Sequence, residues 1–258
     1  MCLIAFSLGQ HPDYPLVVAA NRDEFFRRPT AAMEWWQDTA GNPVLAGRDL
    51  LSGGTWLAVT RRGEVAAVTN VREGSAEAGQ SSRGELPLRA LSESADDVAR
   101  QLAEQQACYA GFNLIRLSTD SGWYYSNRDA HPGRHLHRGT YGLSNHLLQS
   151  PWPKLLKLRT AVAQLLAATP ANASGQLHQS LIPLLQDTDP APDRELPDTG
   201  VGLETERFLS SPFIVGRDYG TRATTVVSVS RGGEIRVTEQ TWQPMGEPGE
   251  QRQFCWQR

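Results

Sequence analysis

The sequence predicts an α+β fold: strands at both ends of the chain and helices in the middle. Three observations carry this. Paired β-rich runs fill the first half. A 16-residue stretch, "PKLLKLRTAVAQLLAA", places Leu155, Leu158, Val162, Leu165 and Leu166 at helical spacing. The last third then returns to strand patterning in "ATTVVSVS" and "EIRVTEQ". Strands, then helices, then strands argue for packed layers of sheet and helix rather than an alternating parallel α/β sheet.

Taken in order, "CLIAFSL" and "PLVVAA" are strand-forming runs separated by the turn-forming "GQHPDY". "TWLAVT" and "VAAVTN" flank "RRGE", where Gly63 supplies turn geometry. Their continuous apolar character predicts burial on both faces. "SADDVARQLAEQQA" opens with Ser94 and carries Asp97 three residues later, a capping-box pattern at a helix start. "FNLIRL" and "WYYSN" form a further hairpin around "STDSG". "GQLHQSLIPLLQ" reads as a helix bent by Pro183. Residues 187–200, "DTDPAPDRELPDTG", read as a surface loop. No tandem repeat is present, and the chain is expected to form one domain, 1–258.

Composition excludes several classes. The chain has 258 residues, 40% of them hydrophobic, enough for a substantial core. A formal net charge of -3 gives no electrostatic footprint for nucleic acid. No apolar run reaches the length of a membrane span, and the N-terminus lacks the basic region of a secretory signal. The three cysteines, Cys2, Cys108 and Cys255, are dispersed and odd in number, which suits a reducing compartment. A cytoplasmic location is the expectation. The sequon at Asn172–Ser174 has no role in such a compartment.

Walker, GxSxG and HExxH motifs are absent. His131, His135 and His137 cluster loosely, but no cysteine or carboxylate completes a metal set, so no metal and no cofactor is assigned. More informative are polar residues at the ends of apolar strands, where a rigid scaffold can hold them around a pocket. Asn21, Arg22, Asp23 and Glu24 follow "PLVVAA", Asn70 follows "VAAVT", Asn145 ends "TYGLSN", and Arg222 starts "RATTVVSVS". Turn preference alone explains any one of them. Cys2 is either a small strand hydrophobe or, once Met1 is removed, a thiol and a free amine on one residue.

Together "MCLIAF", "HPDYPLVVAANRDEFFRRPT", "LAGRDLLSGGTWLAVTRRGEVAAVTNVRE", "FNLI" with "YYSNR", "GLSNHLLQSPWPK" and "YGTRATTVV" resemble the NRDE family, the family of transport and Golgi organisation protein 2. The resemblance spans the chain in the family's order, and "NRDEFFRRP" and "AGRDLLSGGTW" are its most specific stretches. The family is related to N-terminal nucleophile hydrolases of the penicillin acylase and bile-salt hydrolase branch. The resemblance therefore implies a four-layer αββα sandwich of two mainly antiparallel sheets. It also implies a processed Cys2 as nucleophile, Arg22 and Asp23 as its polar pair, Asn70 and Asn145 in the oxyanion region, and Arg222 as the late arginine near the sulfur.

Asn21, Trp56 and Tyr141 are candidates for contacting substrate, and Trp123 for a further pocket wall. The expected activity is hydrolysis of, or acyl transfer from, a non-peptide amide or thioester. The alternative is a non-catalytic carrier of an acyl ligand or haem on the same fold, since a haem-transfer role has been proposed within the family. A protein-interaction role in trafficking, through the 187–200 loop, is a third reading. The partner is a small-molecule substrate or a hydrophobic ligand.

Overall fold

In a computed structural model of the chain, residues 2–74, 79–170 and 176–258 are described. Met1 and the Asn172–Ser174 sequon lie outside them.

Two sheets form the centre. The six-stranded sheet contains β1 (Cys2–Leu8), β2 (Leu16–Phe25), β10 (Gly139–Leu143), β11 (Tyr219–Val229), β12 (Glu234–Trp242) and β13 (Pro248–Gln257), in the order β10-β1-β2-β11-β12-β13. The seven-stranded sheet runs in sequence order: β3 (Thr30–Gln37), β4 (Pro43–Asp49), β5 (Leu57–Thr60), β6 (Val65–Asn70), β7 (Phe112–Leu117), β8 (Gly122–Ser126) and β9 (Arg134–Leu136). All pairings are antiparallel. The paired runs expected in the first half are present as β1–β2, β5–β6 and β7–β8, and the two late strand-forming runs pair as β11–β12. Gly63 turns β5 into β6 with φ +81°, a conformation that disfavours any side chain.

Alternation along each strand sorts side chains into three apolar layers. Ile4, Phe6, Val18, Val59, Ala67, Ile115 and Val237 meet between the sheets. Leu3, Ala5, Val17 and Ala19 point the other way, onto α3 (Pro153–Ala168) and α4 (Leu177–Leu184). Ala66, Val68, Phe112 and Leu114 pack under α1 (Leu86–Ser92) and α2 (Ala95–Gln105). The result is a four-layer αββα sandwich. Burial on both faces explains why β1 reads as an unbroken apolar run: all seven of its residues are buried.

The helices follow their sequence signals. The Ser94 hydroxyl accepts the Asp97 N–H at 3.1 Å and donates to the Asp97 carboxylate at 2.6 Å. Ser94→Ala should therefore lower the unfolding free energy by about 1 kcal/mol, checked by urea denaturation. Helix α3 starts on Pro153, whose fixed φ suits the first turn, and buries Leu155, Leu158, Val162 and Leu166. Pro183 sits in the last turn of α4. The 187–200 segment is a surface loop with one short 3₁₀ turn.

Among the described residues, no helix is long and apolar enough to cross a membrane.

Candidate active site

Strands β1, β2 and β6 end on the same side of the sandwich, and their terminal polar residues gather there. Cys2 pairs with Arg22 in the β1–β2 ladder. Both line a cavity of about 130 Å³ together with Asp23, Asn70, Trp56 and Arg83. Cys2 is buried, and burial pushes its thiol up, with Asp23 and Glu24 adding to the effect and Arg22 opposing it.

Each neighbour is held by identifiable contacts. The Asp23 carboxylate accepts the Thr221 hydroxyl at 2.7 Å, across the β2–β11 pair. The Arg22 guanidinium lies 4.2 Å from the Trp56 ring centroid, with Asp49 and Glu24 oxygens 3.8 and 3.9 Å away. Stacking carries the cation where full hydrogen bonding does not. Trp56 fits because residue 47 is glycine: a Cβ there would lie 2.2 Å from its indole.

Asn70 and Asn145 divide the work differently from the expectation. Asn145 is fully buried and donates its side-chain amide to the Asn70 carbonyl at 3.1 Å and to the Asn70 side-chain oxygen at 3.0 Å. It lies behind Asn70 rather than in the cavity wall. With its oxygen engaged, the Asn70 amide group is the side-chain donor left for the cavity, an orientation fixed by the hydrogen-bond network. The neighbouring Ser144 hydroxyl donates to the Cys2 carbonyl at 3.2 Å. The Ser144–Asn145 pair thus ties the end of one sheet to the end of the other.

Four other expected site residues are elsewhere. Arg222 lines an adjoining cavity, not that of Cys2. A register shift between Thr221 and Ala223 takes it out of the ladder. Its Nη1 donates to the Phe25 and Arg28 carbonyls and to the Thr30 hydroxyl. Asn21 points to the helix side of the sheet, one residue out of phase with Arg22. There it donates to the Leu185 and Pro212 carbonyls and accepts from Thr224. Tyr141 pairs with Phe6, four residues along β1 from Cys2, and stacks on it with 5.2 Å between centroids. Trp123 is buried beside Tyr125, beneath α2. His131 and His135 are exposed, and no group of three or more metal-ligating side chains exists among the described residues.

Arg83 is a site residue with no signal in the sequence. It opens the 3₁₀ turn Arg83–Glu85 that leads into α1, placed by a backbone contact: the Gly84 carbonyl accepts the Thr55 N–H at 2.8 Å, and a Cβ on Gly54 would strike Gly84 at 2.3 Å. Its guanidinium donates to the Gly111 carbonyl at 3.0 Å. Burial lowers its pKa, while Cys2 and Glu24 act to raise it. Arg83→Met should push the Cys2 thiol up further and slow its alkylation at neutral pH by about tenfold. The rate of iodoacetamide labelling across pH checks this, and an unchanged profile would remove Arg83 from the site.

Glu24, Asn70 and Arg83 also line a second, mostly apolar groove of about 610 Å³ walled by Phe25, Phe208, Leu209 and Tyr219. Behind it lie charged groups with little access to water. Arg72 and Glu206 form an ion pair with side chains 5% and 3% exposed. Lys154 donates to the Leu209 carbonyl at 2.7 Å, and burial brings its pKa down to about 8, with Asp23 opposing.

Comparison with known proteins bears out the family resemblance. The family described as Transport and Golgi organisation 2 matches residues 1–244. The chain is 34% identical to the Transport and Golgi organization protein 2 homologs of Bos taurus and Homo sapiens, with 93% of each chain covered in both cases. It is 26% identical to the Drosophila melanogaster protein of that name over 97% of this chain and 95% of that one. Among solved structures it is similar to the C2A mutant of the conjugated bile acid hydrolase from Clostridium perfringens. That match has a TM-score of 0.47 and 8% identity, covering 98% of this chain and 92% of that one. The chain belongs to the Transport and Golgi organisation 2 family.

Proposed function

We propose that the protein is a cysteine-dependent hydrolase or acyltransferase acting on a non-peptide amide or thioester, with Cys2 as nucleophile. One observation carries the reading. A buried thiol shares a small polar chamber with Arg22, Asp23, Asn70 and Arg83, and that chamber adjoins an apolar groove through Glu24, Asn70 and Arg83. The chamber suits a reacting carbonyl, and the groove suits the acyl chain attached to it.

The raised thiol pKa requires a base at the moment of attack. Removal of Met1 supplies one, because an α-amine titrates near ~7.7–8.0 and is partly unprotonated at neutral pH. The amine takes the thiol proton as sulfur bonds to the carbonyl carbon. The carbonyl oxygen becomes an oxyanion opposite the Asn70 amide, which Asn145 holds in place. The tetrahedral intermediate then collapses, and the departing amine or thiol takes the proton back from the ammonium. Water, or an acceptor nucleophile, cleaves the remaining thioester to Cys2. Asp23 steadies the ammonium, and Arg22 and Arg83 favour negative charge on sulfur and oxygen.

The carrier reading rests on the same groove without chemistry. No histidine lines that groove among the described residues, so it favours an acyl ligand over haem. Turnover of a panel of medium-chain acyl anilides and acyl thioesters separates the two. Cys2→Ser should fall to background, and Asn70→Ala should lower kcat by about 10²–10³. Equal turnover in wild type and Cys2→Ser would overturn the catalytic reading.

A further inference from the structure

Beyond the Arg22–Trp56 wall of the Cys2 chamber lies another cavity, of about 260 Å³, whose lining includes Glu239, Arg222, Thr241 and Glu250. Three strand irregularities meet around it. The register shifts between Ala31 and Glu34 in β3, between Thr221 and Ala223 in β11, and between Gln240 and Trp242 in β12. Bulges re-aim side chains and interrupt pairing, and here they open a space at the end of an otherwise close-packed interface.

Glu239 is the informative residue. It is 1% exposed and follows Ile235 and Val237 on the inter-sheet face of β12. One carboxylate oxygen accepts the Met33 N–H at 2.7 Å, a donor that the β3 bulge releases from its ladder. The other oxygen has no hydrogen-bond partner among the described residues. Burial pushes the carboxyl up to about 7, with the Met33 N–H, Arg252 and Arg22 opposing. Bridging the sheets needs only one neutral acceptor, and a glutamine would provide it. A carboxylate in that position supplies a second acceptor and a charge that the fold does not use.

Arg222 is complementary to it. Its Nη1 is taken by three oxygens, while its Nε and Nη2 donate no hydrogen bond among the described residues. Glu250 is paired with Arg252 at 2.9 Å. Arg22 is stacked on Trp56. Arg22 keeps Glu24 and Asp49 oxygens 3.9 and 3.8 Å from its guanidinium as counter-charges. Arg222, 5.7 Å from the Phe26 ring centroid, has no carboxylate partner among the described residues. The free Glu239 oxygen and the Arg222 guanidinium are therefore the acceptor and the cation left for a ligand. A simple cation would face Arg22 and Arg222; a simple anion would face Glu239 and Glu250.

We propose that this cavity binds a small zwitterion, its primary ammonium on the free oxygen of Glu239 and its oxyanion on Arg222. A short amino acid of the β-alanine type has this chemistry. The site is separate from the chamber that holds Cys2 and does not depend on any reaction there.

The test uses the full chain with isotope-labelled glutamate carboxyls, titrated by NMR in buffer alkaline enough to ionise Glu239. β-Alanine should give a saturable shift of the Glu239 resonance. Propylamine and propionate, each carrying half of the recognised chemistry, should bind at least about tenfold more weakly. Glu239→Gln keeps the acceptor for Met33 and should fold, yet lose β-alanine binding by a similar factor, read by calorimetry. No saturable shift with β-alanine would overturn the proposal. So would propylamine or propionate binding as tightly as β-alanine in the wild type, whatever the variant does.

Discussion

Glu206→Gln is expected to lower the unfolding free energy by about 3–5 kcal/mol. The reason lies in what it strands. Glu206 is ion-paired to Arg72, and it also accepts the Thr199 N–H at 3.0 Å and the Thr199 hydroxyl. Arg72 already has two guanidinium nitrogens, Nε and Nη2, without a hydrogen-bond partner among the described residues. Its plane lies 4.7 Å from the Trp152 ring centroid, which offers no anion. Without the Glu206 charge, a buried guanidinium stays close to buried Lys154 with its counter-charge gone. Removing one member of a buried pair costs far more than the pair itself contributes.

The same contacts position the groove. Glu206 sits in α5 (Leu203–Phe208), the Gly74 N–H donates to the Thr199 carbonyl at 2.9 Å, and Gly74 and Gly200 touch so closely that a Cβ on Gly74 would lie 2.3 Å from the Gly200 carbonyl oxygen. Urea denaturation of Glu206→Gln checks the prediction, and a loss below about 1 kcal/mol would place the pair with ordinary solvent-screened ones.

A second large effect concerns pH. His178 is buried between Ser228 and Thr238, its ring nitrogens 2.8 and 2.9 Å from their hydroxyls. Burial, with Arg236 adding to it, brings its pKa from 6.5 down to about 4. The unfolded chain binds that proton first, so stability from neutral His178 is complete above pH 6.5 and lost as pH falls to about 4. Glu239 works in the opposite sense. Its carboxyl rises from 4.5 to about 7, so the folded chain binds that proton first, and stability falls as pH rises through this range.

Between pH 4.5 and 6.5 the two slopes oppose each other, and wild-type stability should be nearly flat in this window. His178→Gln should then lose about 3 kcal/mol as pH rises from 4.5 to 6.5. Glu239→Gln should gain about as much over the same range. Denaturation at the two ends of the window reads both slopes. Flat profiles in both variants would mean that neither group differs between the folded and unfolded chain.

The division of the chain into strand-rich ends and a helical middle was legible, because burial leaves a direct trace in strand and helix periodicity, whereas the four-layer αββα arrangement came from the family resemblance. Gathering Cys2, Arg22, Asp23 and Asn70 was legible for the same reason: each ends an apolar strand, and antiparallel pairing returns those ends to one side. The residues that were misplaced depend on features without a pattern. Arg222 left the ladder through a one-residue bulge. Asn21 stands one residue out of phase with Arg22, and a period of two sends it to the opposite layer. Tyr141 was separated from Cys2 by register, which turn chemistry and packing set together. Arg83 was delivered by two glycines in contact, and Gly54–Gly84 contact cannot be seen in one dimension. Lys154 reads as an ordinary first-turn lysine, yet the chain between α5 and β11 covers it.

The measurement that bears most directly on the whole account is the intact mass of the purified protein before and after brief exposure to a short-chain activated thioester. The account predicts loss of the initiator methionine, then addition of a single acyl group at Cys2, with exposed Cys255 and half-buried Cys108 left free as internal controls. A retained methionine, with acyl groups reaching Cys255 before Cys2, would contradict it.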